Sequence, residues 1–353
     1  MTKRRNESLD LLRAIAISMV VAVHTAQAPE AILKGTKVFA SSYGGMGVQL
    51  FFIVSAFTMM LTFGSSADLR HTLAFYVRRI FRIAPMFWTA AIVYGAWHGF
   101  SPRYWAPEGI GWADVWLTVS FLHWLSPNAF NSVVPGGWSI AIEVLFYALF
   151  PIFLYLFRSG KQSFVYAAIL VIHLVGPIAV RAIFHEHLSK TIAPEHMYQV
   201  NAFFQASLPN QIICFGFGFV LYQLLMEKKL PLAGWLFVAV TTLYSPFGLQ
   251  VFCLFLFSFF VMSVGLRSNL CSLAGGLSYS VYLIHFGMIS GAEHIQKSMN
   301  WYLPFELLFI VIMALSLAVA KFITKPLIED PFIGIGRIVA RRVKSGQTQT
   351  AMA

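Results

Sequence analysis

The sequence predicts an all-α, polytopic integral membrane protein, and three observations carry that prediction. Of its 353 residues, 58% are hydrophobic and only 11% are charged, whereas charged residues make up about a quarter of an ordinary soluble domain. The mean hydropathy is +0.71. Ten apolar runs follow one another along the chain, each near the roughly 20 residues that a helix needs to cross a bilayer.

The first run, 9–28, follows Lys3, Arg4 and Arg5 and ends in Ala26-Gln27-Ala28, which imitates a secretory signal with a small-residue cleavage site. Pro29 directly after that site hinders processing, and removing 1–28 would leave an odd number of spans. The run is therefore read as a retained helix. Runs at 47–64, 83–100, 138–157, 163–184 and 207–226 come next. The pair 232–246 and 249–266 is short and joined only by Pro246-Phe247-Gly248, an arrangement that also suits a broken or re-entrant segment. Runs at 272–290 and 303–324 complete the set. Residues 1–331 thus form one membrane domain, and 332–353 a basic tail expected to lie on anionic lipid before becoming disordered.

The formal net charge of +11 would suggest nucleic acid as partner for a soluble protein. Here the basic residues gather in the short connections between apolar runs, as they do in cytoplasmic loops. With an inside N-terminus, 19 of the 25 lysines and arginines fall on the inner side, which puts both termini in the cytoplasm; a plasma membrane is the expected location. Lipid, not nucleic acid, is the expected partner.

The outer connections 101–137 and 185–206 are the longest. In the first, 112–125 with Trp112, Trp116, Phe121 and Trp124 reads as an interfacial anchor. In the second, His185-Glu186-His187 and Glu195-His196 read as solvated polar residues, and no metal is expected. Cys214, Cys253 and Cys271 fall in or beside apolar segments without metal-ligand spacing, so they read as small buried hydrophobes.

Ionisable groups within apolar spans are costly and usually functional. Arg13 and His24 lie in the first helix, 11 residues apart, which is close to three turns, so they share a face at about 16 Å separation. Counted from Leu9, His24 is roughly 22 Å along the helix and hence in the outer half of the bilayer. Glu143, in the fourth run, lies about 7 Å below the outer boundary. The two depths agree, which predicts a His–Glu pair in which the carboxylate selects the imidazole tautomer and raises its basicity. Ser139 lies one turn before Glu143 on the same face. On the inner side, the loop Tyr76–Pro85 carries Arg78, Arg79 and Arg82. Such a guanidinium cluster suits both a topology signal and bidentate phosphate binding.

In this order, the segments resemble acyltransferase family 3, membrane proteins that O-acylate cell-surface glycans. The resemblance runs from Leu9 to about Pro331. It rests on Arg13 followed after ten residues by His24, on Phe51-Phe52-Ile53-Val54-Ser55, on Arg78-Arg79-Ile80-Phe81-Arg82-Ile83-Ala84-Pro85, on Trp138-Ser139-Ile140-Ala141-Ile142-Glu143, and on Ser278-Tyr279-Ser280-Val281-Tyr282-Leu283-Ile284-His285. Ala56 departs from it, because the family usually has glycine after the serine. The resemblance implies transfer of an acyl group, in the first place acetyl, from acyl-coenzyme A to a sugar hydroxyl of a glycan or glycolipid. His24, Glu143 and Arg13 are the expected catalytic residues. Arg78, Arg79 and Arg82 are expected to hold the coenzyme, and Ser55, Trp138, Ser139, Ser280, Tyr282 and His285 to line the cavity. His285 suits a packing role equally well.

A proton-coupled transporter or flippase would also use intramembrane Arg, His and Glu, but the chain lacks paired Gly/Pro-broken segments in corresponding halves. A membrane scaffold gives no reason for such groups. No motif encodes the acceptor, the acyl length or the oligomeric state.

Overall fold

A computed structural model describes residues 3–28, 35–63 and 68–345, without the side chains of 3–6 and 185–191. The helices run in the order α1 (Lys3–Ala26), α2 (Gly35–Tyr43), α3 (Gly47–Thr62), α4 (Leu69–His98), α5 (Trp112–Val119), α6 (Gly137–Arg158), α7 (Gln162–Thr191) and α8 (Met197–Ala206). They continue with α9 (Leu208–Tyr222), α10 (Leu232–Tyr244), α11 (Pro246–Val264), α12 (Asn269–Gly276), α13 (Ser278–Met299), α14 (Phe305–Val319) and α15 (Asp330–Ser345). Among the described residues there is no strand.

Among the described residues, eight helices or helix runs are long and apolar enough to cross a membrane, and α12 with α13 makes a ninth that is bent by 75°. The 13-residue α10 rises only about 20 Å, short of a hydrocarbon core of about 30 Å. Each of the ten predicted runs falls on one of these elements. The chain is an all-α, multi-pass membrane protein.

Two predicted connections are helical instead. Tyr76–Pro85, expected as an inner loop, lies inside α4. Asp68 caps that helix by accepting the His71 N–H at 2.8 Å, and no glycine or proline interrupts the chain before Pro85. Residues 185–206, expected as a connection, fall in the end of α7, a 3₁₀ turn at Pro194–His196, and α8. Long-range bonds hold α8 in place: the Tyr198 hydroxyl donates to the Tyr104 carbonyl, and Gln199 Nε2 donates to the Trp105 carbonyl at 2.6 Å. Such tertiary support leaves no local pattern to read. The side chains of His185, Glu186 and His187 lie outside the described residues.

The chain divides into two compact units. The first comprises Met1–Ser55, Leu73–Phe87 and Cys253–Ala353. Within it α1 packs against α2, α12, α13 and α14. The backbones approach closely: a Cβ on Gly47 would stand 2.4 Å from the Ala16 carbonyl oxygen, and one on Gly275 would stand 2.0 Å from that of Asp10. Neither position has room for a side chain. The bend between α12 and α13 follows Gly275-Gly276, so that α12 crosses the start of α1 and α13 begins afresh at Ser278. Beyond α14 the chain continues as a π-helical stretch, Ala320–Glu329, into α15. Part of the expected basic tail is therefore helical and docked, since a Cβ on Gly336 would meet Phe81 Cβ at 2.5 Å. Residues 346–353 of that tail lie outside the described residues.

The second unit comprises Ala56–Thr72 and Trp88–Phe252. Phe146, Phe150, Phe153 and Phe157 form a helical stripe on α6, and it packs onto α9. Phe146 stacks on Phe215 with centroids 3.8 Å apart, and Phe157 lies 5.6 Å from Phe219. The expected interfacial piece is α5, whose Trp112 and Trp116 are 71% and 70% exposed.

Candidate active site

In the first unit, α1 and α13 bring two imidazoles together. The ring centroids of His24 and His285 are 5.3 Å apart, and Phe286 lies 4.3 Å from His24 and 4.2 Å from His285. Gln27 Oε1 lies 3.0 Å from His24 Nδ1. An amide oxygen only accepts, so Nδ1 carries the proton and the lone pair sits on Nε2. His285 is arranged in the same way. Its Nδ1–H donates to the Val281 carbonyl one turn back, at 3.2 Å. Its Nε2 is buried with no hydrogen-bond partner among the described residues. A buried acceptor left unsatisfied costs free energy and calls for a reason, such as a ligand proton. Tyr282 flanks His285 with centroids 5.9 Å apart.

The break after Gly276 alters the depth of His285. A continuous helix from 272, where the apolar run begins, would carry His285 about 20 Å along, whereas along α13 from Ser278 the rise to His285 is about 10 Å.

Arg13 pairs with Asp10 at 2.9 Å, which fixes the guanidinium one turn from the start of the apolar part of α1. Arg79 and Arg82 of α4 lie within electrostatic range of it. Tyr279 ties α13 to this part of α4 by donating to the Ile83 carbonyl at 2.7 Å. Ser280 is fully buried and donates to Glu329 Oε1, and Thr324 Oγ1 donates to Ser280 Oγ at 2.8 Å. Arg82 lies within electrostatic range of Glu329, so a buried carboxyl joins the arginine group. Ser55 is half-buried on α3, and the Ala56 methyl after it is fully buried, so the departure from glycine is accommodated in the interior.

The second unit holds Trp138, Ser139 and Glu143 on α6. Gly136 adopts φ +77° as the cap of this helix, a conformation that favours glycine. The Asn131 side chain accepts the Gly136 N–H at 2.7 Å. His123 Nε2–H donates to the Gly137 carbonyl at 2.9 Å, and burial lowers the imidazole below its ordinary pKa. Ser139 Oγ donates to the Gly136 carbonyl at 3.1 Å. Glu143 accepts from the Tyr147 hydroxyl one turn on, and Trp138 packs on the cluster of Phe130 and Phe203.

The first unit thus assembles Arg13, His24, Arg79, Arg82, Ser280 and His285 from residues scattered over the whole sequence. An Arg and a His three turns apart on α1, a second buried His beside the first, and an arginine face on α4 place imidazole nitrogens and guanidinium groups in one unit, the group types suited to proton transfer and to anion binding. The family model for an acyltransferase domain, that of acyltransferase family 3, matches residues 6–324. The chain belongs to acyltransferase family 3. It is therefore a membrane acyltransferase. Among curated proteins it is similar to the exopolysaccharide production protein ExoZ of Rhizobium meliloti (strain 1021), with 24% identity over 327 residues, covering 86% of this chain and 93% of the relative. No solved structure matches.

Sequence reasoning missed Gln27, Thr324, Glu329 and Phe286. Gln27 was legible, since it stands three residues after His24 and so on the same helix face. Glu329 was not, because it lies beyond the last apolar run and is buried only through a π-helical extension of α14.

Proposed function

We propose that this acyltransferase moves an acyl group, in the first place acetyl, from acyl-coenzyme A to a sugar hydroxyl of a surface or exported polysaccharide. It would act in a bacterial plasma membrane with both chain termini in the cytoplasm. The observation that carries the reading is the His24–His285 pair, with both lone pairs on Nε2. The family supports acyl transfer, and the name of the Rhizobium relative supports a polysaccharide acceptor. The positive-inside bias supports the orientation.

In the reaction His24 Nε2 takes the proton of the acceptor hydroxyl as its oxygen attacks the thioester carbonyl. The carbon–sulfur bond then breaks, and the thiolate leaves with the proton returned from the imidazolium. A variant of this route forms an acyl-histidine first and passes the acyl group on to the hydroxyl; trapping that adduct separates the two. Gln27 holds His24 in the tautomer that either route needs. Arg79 and Arg82 bind the coenzyme's phosphates, and Arg13 steadies either a phosphate or the thioester carbonyl as charge develops. Arg78 lines a separate cavity with residues of α15. On the depth estimate from sequence alone, Glu143 is proposed as the carboxylate that stabilises the imidazolium.

Membranes holding the protein, given labelled acetyl-coenzyme A and a crude surface-glycan extract, should move label into base-labile ester. Movement of intact glycan without label would overturn the proposal in favour of a carrier.

A further inference from the structure

Arg78 lies next to Arg79 on α4 and within electrostatic range of it. It faces a cavity of about 390 Å³ lined by Arg78, Arg337, Ala340, Arg341 and Lys344, all within the first unit. Three of these cations come from α15 at spacings of four and three residues, so they share one helix face. The fourth comes from α4. No carboxylate lines the cavity, and no ion pair engages any of the four among the described residues.

A topology signal asks only for basic residues on the inner side, solvated and apart. Here they converge. The convergence is built by packing: Gly336 and Ala340 are the buried positions of α15, and the bare Gly336 Cα lets the helix sit against Phe81. Lys325 and Asp330, 3.7 Å apart, brace the entry into α15. Four cations held around one cavity repel one another, and a ligand that offsets this must carry clustered negative charge with oxygen acceptors that guanidinium groups can fork. The volume lies in the usual range for small-molecule sites, about 300–1,000 Å³.

We propose that α4 and α15 form a phosphate-binding pocket, with Arg78, Arg337, Arg341 and Lys344 as its wall. Two sources supply such a phosphate at the inner membrane face: the nucleotide of the acyl donor, which rests on the reading above, and the headgroup of an anionic phospholipid. In either case α15 is part of a binding site and not a tail.

The test uses the full-length protein in phosphatidylcholine nanodiscs, titrated with labelled adenosine 3′,5′-bisphosphate and requiring no turnover. Saturable binding is expected, weakened at least about tenfold in the triple variant Arg337→Gln, Arg341→Gln, Lys344→Gln and again in the single variant Arg78→Gln. A parallel set of discs containing phosphatidylglycerol tests the lipid source. If the wild type enriches phosphatidylglycerol around itself, the variants lose that enrichment, and neither form holds the nucleotide, the pocket stands with lipid as its ligand. That outcome would count against the coenzyme donor while leaving the pocket intact. Nucleotide binding and lipid enrichment both unchanged in folded variants would overturn the proposal.

Discussion

His24 and His285 stand with ring centroids 5.3 Å apart and planes tilted by 35°, each with its Nδ1 held by an oxygen within one turn of its own helix, Gln27 for one and Val281 for the other. In the neutral form each ring thereby carries its proton on Nδ1 and its lone pair on Nε2. This shared arrangement makes the reactivity of each separable by mutation.

Gln27 sets the tautomer of His24. Gln27→Ala should lower kcat about tenfold, because the imidazole then samples the unproductive tautomer. Gln27→Glu places a carboxylate on Nδ1, which favours the imidazolium and raises its pKa. The acidic limb of the kcat/KM profile should therefore move to higher pH. An unmoved limb would remove Gln27 from the mechanism.

His285 is fully buried and leaves Nε2 unsatisfied among the described residues. An unsatisfied buried group costs about 1–3 kcal/mol, so His285→Leu, which removes it at similar volume, should leave the thermal midpoint unchanged or raised while acyl transfer falls. Loss of stability with full transfer would assign the residue to packing alone.

Gly275 allows the α12 backbone to lie on the Asp10 carbonyl, and the Asp10 carboxylate holds Arg13. Gly275→Val should force α12 off α1, at a cost of about 1–3 kcal/mol for an overpacked contact. The donor KM should rise with it, as Arg13 shifts. Differential scanning of the protein in nanodiscs together with donor titration reads both.

His123 anchors the Gly137 carbonyl at the head of α6, and burial holds its pKa below the ordinary value. Below about pH 6.5 the unfolded state binds the extra proton more readily than the folded one. The stability due to the neutral ring is then fully present above that pH and is lost as pH falls through the lowered folded value. The thermal midpoint should drop on acidification from pH 7.5 towards 5, and His123→Gln, which keeps a donor for Gly137, should flatten that slope.

Hydropathy alone located all ten apolar elements, because span length and charge exclusion are local properties of the chain. The pairing of Arg13 with His24 on one face was equally legible, since helix periodicity fixes it. What escaped was whatever depended on contacts between distant segments. The chain at Tyr76–Pro85 carries the basic residues of a loop yet is helical. The break at Leu277 changes the rise to His285, and it follows from the approach of Gly275 to Asp10, which no window of sequence contains. Glu329 is buried where it accepts from Ser280 of α13, which itself accepts from Thr324 of the π-helical stretch. Residues 332–345, read from sequence as part of a basic tail on anionic lipid, are helical and docked through Gly336.

His24 Nε2 is the group proposed to accept a proton from the acceptor or to carry the acyl group. The measurement that bears on it most directly is the rate at which the purified protein, at equal membrane insertion, converts labelled acetyl-coenzyme A and glycan into base-labile ester, compared between wild type and His24→Ala. A fall of at least about 10²–10⁴-fold with unchanged thermal midpoint is predicted. Transfer by His24→Ala within about threefold of wild type, a difference of under 1 kcal/mol, would contradict it.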